Sequence, residues 1–365
     1  MGVRCAIVTD LKRGHENQSR VLARMLGDTA PLTMQLRKNV REGGPAEFQV
    51  RLRLALFGPG SISRRQANRL VERYLEPASK WDFRDFAMEV AAAQGSLKLY
   101  TISTGTPPAT FNLVLTRLLK ATSIANMTPS LIPRSAFDLN IVPVHDLTNL
   151  TSLPVNVIVT PLALGHHDQA AGEALAGQLA LERGLDGERK YWGVAIGGPS
   201  KACPWAGDRV LDELAALHGL ARGEQAQLLV TTSRRTPAWC LSWLNKHYVA
   251  SPQVAYFLNA AEDPLNPLPA FYELAERMFV TGDSFSMVCE AAQAGHVPVV
   301  LRVREGSAPG KLGRALSALD NAGLAIVGAD AEELPARLTA EPVKHAPNAH
   351  YDELKKAVRY KLGLE

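Results

Sequence analysis

Three short stretches in the second half of the chain carry residues suited to a phosphorylated ligand. In Gly282-Asp283-Ser284-Phe285-Ser286-Met287, with Glu290 beyond, an apolar run ends in a turn and a helix begins. Asp283 or Ser284 can cap that helix by accepting from its first free N–H groups. Those N–H groups and the helix dipole together make an anion site that suits phosphate. Ser286 and Glu290 lie four residues apart and share a helix face. A carboxylate one turn past a phosphate can accept hydrogen bonds from both hydroxyls of a ribose. The second stretch, Thr231-Thr232-Ser233-Arg234-Arg235, sets two permanent fork-shaped cations beside small hydroxyls, a pattern suited to a diphosphate. The third, Gly197-Gly198-Pro199-Ser200, has glycines that let a ligand approach the backbone. Gly198, Ser200, Thr232, Ser233, Arg234, Arg235, Asp283, Ser284, Ser286, Met287 and Glu290 therefore form a candidate nucleotide-diphosphate site.

The first half carries candidates for proton transfer. Asp10 closes an apolar run, and Gly14-His15-Glu16-Asn17-Gln18 follows in the next loop. His15 has the residue type of a general base near neutral pH. Asp10 is the competing base, and the sequence leaves the two unranked. Thr104-Gly105 and His145 end two further apolar runs. Gly14, Asn17, Gln18, Thr104, Gly105 and His145 are candidates for the second substrate. His166-His167-Asp168 looks like a metal cluster, but adjacent residues splay apart and no third spaced ligand follows.

These loops need a scaffold that gathers them on one edge. Short apolar strands alternate with helical patterns along most of the chain, which predicts parallel, doubly wound sheets with ligands beyond the carboxyl ends of the strands. The first half offers strands at 4–9, 97–102, 137–143 and 155–160, and the pattern restarts at Tyr191. The expectation is an α/β protein of two tandem Rossmann-like domains, at 1–185 and 186–347. A helix at 348–363 is expected to pack back onto the first. Residues 48–76 mix apolar residues with six arginines and break at Phe57-Gly58-Pro59-Gly60; this is the best candidate for a membrane-facing surface.

Length and composition agree. At 365 residues, with 46% hydrophobic and 21% charged residues, the chain has a globular composition and room for two domains of roughly 150 residues each. No apolar run approaches the roughly 18 residues of a membrane span, and no signal peptide is evident. Four scattered cysteines without metal or CxxC spacing fit a reducing compartment. Residues 1–80 hold 15 Lys and Arg against 7 Asp and Glu, so a net charge of +8 there stands against −4 in the remainder. That basic half implies an anionic partner such as a membrane surface. There is no dinucleotide fingerprint, P-loop or nucleophile elbow. No Asp-x-Asp pair is present to hold a divalent ion on a diphosphate, which leaves neutralisation to arginines, hydroxyls and helix dipoles.

At several of these stretches the chain resembles the mitochondrial-fission (elongated-mitochondria) family and its bacterial relatives. The resemblance rests on Thr9-Asp10 with Gly14 to Gln18, Pro133-Arg134, Phe137-Asp138-Leu139 with Pro143 to Asp146, and Asn156-Val157. It continues through Gly197 to Ser200, Thr231 to Pro237, and Thr281 to Met287 with Glu290-Ala291. The family in turn resembles GT-B glycosyltransferases, such as the enzyme that adds GlcNAc to a lipid-linked peptidoglycan precursor. That likeness implies an acceptor domain and a nucleotide-sugar domain facing across a cleft. With no Asp-x-Asp pair, the expectation is metal-independent transfer from a UDP-, GDP-, CMP- or dTDP-sugar to a glycan or lipid-linked envelope acceptor, with no cofactor and no nucleic acid. A cytoplasmic location follows, peripheral on the cytoplasmic face of the inner membrane. A nucleotide-sugar 2-epimerase is the alternative enzyme, and a membrane-associated adaptor the non-enzymatic one. Three phosphate-type loops count against the adaptor.

Overall fold

A computed structural model describes residues 2–93, 95–147, 153–201, 203–306, 310–328 and 342–364. The chain divides into two compact units, Met1–Gly165 with Asp352–Glu365, and His166–Tyr351. In the first, β1 (Gly2–Thr9), β2 (Leu32–Gln35), β3 (Leu97–Thr104), β4 (Thr122–Asn126), β5 (Leu139–Pro143) and β6 (Val157–Thr160) form one parallel sheet in the order β2-β1-β3-β4-β5-β6. Helices cover it: α1 (Arg13–Leu26), α2 (Lys38–Arg41), α3 (Pro45–Phe57), α4 (Arg64–Tyr74), α5 (Pro77–Ala92) and α6 (Thr106–Leu119). A parallel sheet covered on both faces wants unbroken apolar strands. Cys5-Ala6-Ile7-Val8 supplies one, each residue at most 1% exposed. The order reverses between β1 and β3, where a doubly wound sheet opens a crevice at its carboxyl edge.

The second unit begins with α7 (Gln169–Arg183). Its sheet has the order β11-β10-β7-β8-β9, again wholly parallel, built from β7 (Tyr191–Ala195), β8 (Gln227–Thr231), β9 (Val254–Leu258), β10 (Arg277–Thr281) and β11 (Val299–Leu301). The connecting helices are α8 (Gly207–Gly223), α9 (Ala238–Leu244), α10 (Leu268–Leu274), α11 (Phe285–Gln293) and α12 (Gly310–Asn321). The reversal falls between β7 and β10. Trp192, Val194, Leu228, Val230 and Phe279 fill the core of this unit.

The expected α/β architecture of two parallel sheets is present, with local differences. The helix α7, expected to close the first domain, packs on α10 and belongs to the second unit. Strands β2 and β4 are short and carry threonine or serine, so their apolar signal is weak. The apolar run Leu324–Gly328 contributes a bridge from Ile326 to Val299 rather than a strand. The terminal helix α13 (Ala349–Lys361) returns to the first unit, where Arg359 donates to the Met25 and Leu26 carbonyls and Lys361 to the Val155 carbonyl.

Candidate functional site

At the β7–β10 reversal the three predicted loops lock together. Gly197 N donates to Thr281 Oγ1 at 2.7 Å and Gly198 N to Asp283 Oδ2 at 2.9 Å. Trp205 Nε1 reaches Asp283 Oδ1 at 3.1 Å, and Ser284 Oγ donates to Oδ2 at 2.9 Å. Arg235 spans the loops, donating to the Gly198 carbonyl at 2.5 Å and lying 3.4 Å from Asp283 Oδ2. The Thr236 hydroxyl donates to the Gly197 carbonyl at 2.6 Å. A Cβ on Gly198 would sit 2.2 Å from the Arg235 carbonyl, so only glycine allows this approach.

The expected helix cap is therefore corrected. Ser284 holds the N-cap position of α11 but makes no capping hydrogen bond with its side chain. The Asp283 carboxylate is fully buried and turned toward the β7 loop, where four donors engage it. A brace of this kind is spent within the protein, and the start of α11 keeps its anion-binding capacity. The same division separates the other candidates. Ser233 Oγ accepts from Arg235 N at 3.1 Å, Thr232 Oγ1 accepts from Ala260 N at 3.2 Å, and Ser200 Oγ accepts from Cys203 N at 3.1 Å. These side chains shape their loops.

Of the eleven candidates in this unit, three polar side chains remain uncommitted: the exposed Arg234 guanidinium, the exposed Ser286 hydroxyl and the Glu290 carboxylate. Met287 is half-buried on the same first turn of α11. Glu290 reaches solvent yet is crowded by surrounding protein, and that desolvation pushes its carboxyl up to about 7. A carboxylate that lacks protein donors, in a desolvating surround and open to solvent, is suited to accept from ligand hydroxyls.

In the first unit the β1–β3 reversal brings a different group together. Leu11 takes a left-handed backbone conformation, φ 65°, unusual for a bulky residue, and the chain turns sharply past Asp10. His15 Nδ1 then lies 3.1 Å from Asp10 Oδ2 and 3.2 Å from Oδ1, with Lys12 Nζ 3.1 Å from Oδ2. Burial pushes the Asp10 carboxyl up, but the hydrogen bond and charge of His15, joined by Lys12, outweigh it and hold it at about 2. An ionised carboxylate only accepts, so His15 Nδ1 carries a proton toward Asp10, and in the neutral tautomer that leaves the lone pair on Nε2. Gly105, at φ 85°, makes room for the ring: a Cβ there would stand 2.9 Å from His15 Cε1.

Of the other first-unit candidates, Gln18 and Thr104 are structural ties. Asn126 donates to Gln18 Oε1 at 2.7 Å and to Thr104 Oγ1 at 3.2 Å, and Thr104 also meets Ser19 Oγ at 2.9 Å. Gly14 and Asn17 are exposed on the first turns of α1. His145 is buried in a short turn after β5, two strands along the edge from β3. The His166-His167-Asp168 trio does splay: His166 packs edge-on to Tyr351, His167 Nε2 meets Glu273 Oε1 at 2.5 Å, and Asp168 caps α7. Among the described residues no group of three or more His, Cys, Asp or Glu is placed to hold a metal ion, and no helix is long and apolar enough to cross a membrane. Sequence reasoning missed Thr281, Trp205, Thr236 and Lys12, which hold the loops. It also missed Tyr272, whose buried hydroxyl lies in the field of Glu290 and finds no hydrogen-bond partner.

The family model for mitochondrial fission ELM1 matches residues 13–356. The chain belongs to that family. Comparison with curated proteins returns no match. Among solved structures, this ELM1-family chain is similar to the UDP-GlcNAc 2-epimerase of Neisseria meningitidis bound to UDP-GlcNAc, at 11% identity and a TM-score of 0.51, with 100% of each chain covered. The UDP-GlcNAc 2-epimerase of Methanocaldococcus jannaschii is similar at 11% identity and a TM-score of 0.51, with 99% of each chain covered. MurG of Acinetobacter baumannii is aligned over 99% of this chain and 100% of its own, at 13% identity and a TM-score of 0.47. At such identities the likeness to the two epimerases shows the fold alone: two Rossmann-like units of the GT-B type.

Proposed function

We propose that this ELM1-family protein is a GT-B-type glycosyltransferase that moves a sugar from a nucleotide-activated donor to an envelope glycan or lipid-linked acceptor without a metal ion. The observation that carries the reading is the split at the β7–β10 edge. One set of polar groups braces the loops, and the other, Arg234, Ser286, Glu290 and the open start of α11, is left for a ligand. Its chemistry matches a nucleoside diphosphate: a cation and helix N–H groups for the phosphates, a carboxylate for the ribose diol. Arg234 and the helix dipole supply the positive charge that a metal ion provides in other sites.

His15 and Asp10 divide the work in this reading. Asp10 is too acidic to serve as base and instead orients His15 through Nδ1. His15 Nε2 takes the proton of the acceptor hydroxyl, the acceptor oxygen bonds to the anomeric carbon, and the nucleoside diphosphate leaves with the electron pair of the bond it gives up. The test is binding of UDP, GDP, CMP and dTDP by calorimetry, followed by product analysis of the corresponding sugars with and without acceptor extract. Transfer that needs the acceptor supports the proposal. A changed sugar without acceptor favours an epimerase, and no nucleotide binding sinks both.

A further inference from the structure

The helix α3 is apolar on both faces. Its inner face buries Leu54 in the core beside Glu47, which is 0% exposed and accepts from Thr110 Oγ1 at 2.6 Å, with Arg51 3.6 Å away. Its outer face carries Phe48, Leu52 and Leu56, spaced i, i+4, i+8, and Phe57 follows. All four are exposed, Leu56 and Phe57 by 66% and 70%. Single exposed apolar residues are ordinary. A continuous stripe of large ones on one helix marks an interaction surface. The stripe stands in a basic neighbourhood. From Phe48 to Val71 the sequence has five arginines and no acidic residue. A groove of about 230 Å³ runs between α3 and α4, lined by Val50, Ile62 and Leu70 with Arg53, Arg69 and Arg73. Glu72, next in sequence, is committed to Arg84 and Lys80.

We propose that this face docks on an anionic lipid bilayer. Phe48, Leu52, Leu56 and Phe57 enter the boundary between headgroups and acyl chains, while Arg53, Arg69 and Arg73 meet lipid phosphates. Apolar side chains on an exposed helix flanked by fork-shaped cations are what a bilayer with negative headgroups accepts. A second copy of the chain is a poor occupant. A two-fold contact through this face would set arginines against arginines with no carboxylate to relieve them. The inference does not depend on the sugar chemistry, since docking needs neither donor nor acceptor.

The full chain should be sedimented with phosphatidylcholine vesicles and with vesicles containing about one-third phosphatidylglycerol. Wild type should partition onto the anionic vesicles and little onto the neutral ones. Leu52→Glu/Leu56→Glu and, separately, Arg69→Gln/Arg73→Gln should each lower that partition about tenfold or more. These side chains are exposed, so the unfolding midpoint should be unchanged, and either variant alone carries the test if the other misfolds. Absence of binding, equal binding to both vesicles, or wild-type binding by the folded variants would overturn the proposal. So would a wild-type dimer that Leu52→Glu/Leu56→Glu splits while no vesicle binding is seen.

Discussion

Both sheets reverse strand order beside their first strand, yet their carboxyl edges are furnished differently. At the β1–β3 edge, Asp10, Lys12 and His15 form a charged cluster in which one nitrogen, Nε2 of His15, is left over. At the β7–β10 edge a buried aspartate and a half-exposed arginine tie the loops, and several groups remain open. The first edge holds one side chain, His15, in one orientation. The second braces its loops and leaves Arg234, Ser286 and Glu290 open. The same kind of strand reversal is thus furnished differently through the partners given to its loop carboxylates.

Loss of the first edge should give the largest effect. His15→Ala should lower turnover by roughly 100-fold or more while nucleotide affinity stays near wild type. Asp10→Asn should lower turnover with His15 in place, because the ring loses its orienting partner. Normal turnover in His15→Ala with loss in Asp10→Asn would move the base to Asp10; normal turnover in both would remove chemistry from this edge.

The second edge should respond in binding. Glu290→Ala should weaken nucleotide binding by about 1–3 kcal/mol in calorimetry, the scale of hydrogen bonds to a charged group. The acidity of Glu290 adds a signature. Ligand hydroxyls favour the ionised form, so affinity should rise as pH climbs through about 7 and fall below it, and Glu290→Gln should flatten that profile. Stability runs the other way. The carboxyl is raised above its unfolded value, so its contribution is most favourable below that value and is lost as pH rises through 7. A flat wild-type binding profile would show that Glu290 does not meet the ligand.

Smaller effects should separate the two arginines. Arg234→Ala should weaken nucleotide binding without moving the unfolding midpoint. Arg235→Ala should lower the unfolding free energy by about 1 kcal/mol, given its half-exposed side chain, and the midpoint with it. Equal behaviour of the two would erase the distinction between bracing and open groups. The smallest expected change is none: activity should persist in excess EDTA, and loss restored by magnesium would show that Arg234 and the helix dipole do not suffice.

Much of this was legible in the sequence because parallel strands buried on both faces announce themselves as apolar runs. Cys5 to Val8 and Phe279 to Val280 are examples. The ends of such runs also point to the loops that matter. The partners of those loops were not legible. Asp283 reads as a helix cap by position, and only the packed structure shows its carboxylate drawn toward Gly198 and Trp205, 85 and 78 residues away in the chain. Trp205 carries no local signal of that role. That Asp10 and His15 are partners rather than separate candidates was likewise not legible: the left-handed turn at Leu11 sets them side by side. Strands β2 and β4 were missed because Thr33, Thr122 and Ser123 dilute the hydrophobic pattern in segments of 4 and 5 residues.

The return of α13 to the first unit bears on the order in which the protein is made. The second unit is one uninterrupted stretch, complete when Tyr351 has been synthesised. The first begins at the N-terminus yet draws its last helix from Asp352 onward, and Arg359 and Lys361 in that helix bind carbonyls laid down some 330 and 200 residues earlier. Units normally mature on the ribosome from the N-terminal end, but here the first unit lacks a helix until the segment after Tyr351 has been made. A chain cut short before Asp352 lacks the helix whose Arg359 and Lys361 bind that unit.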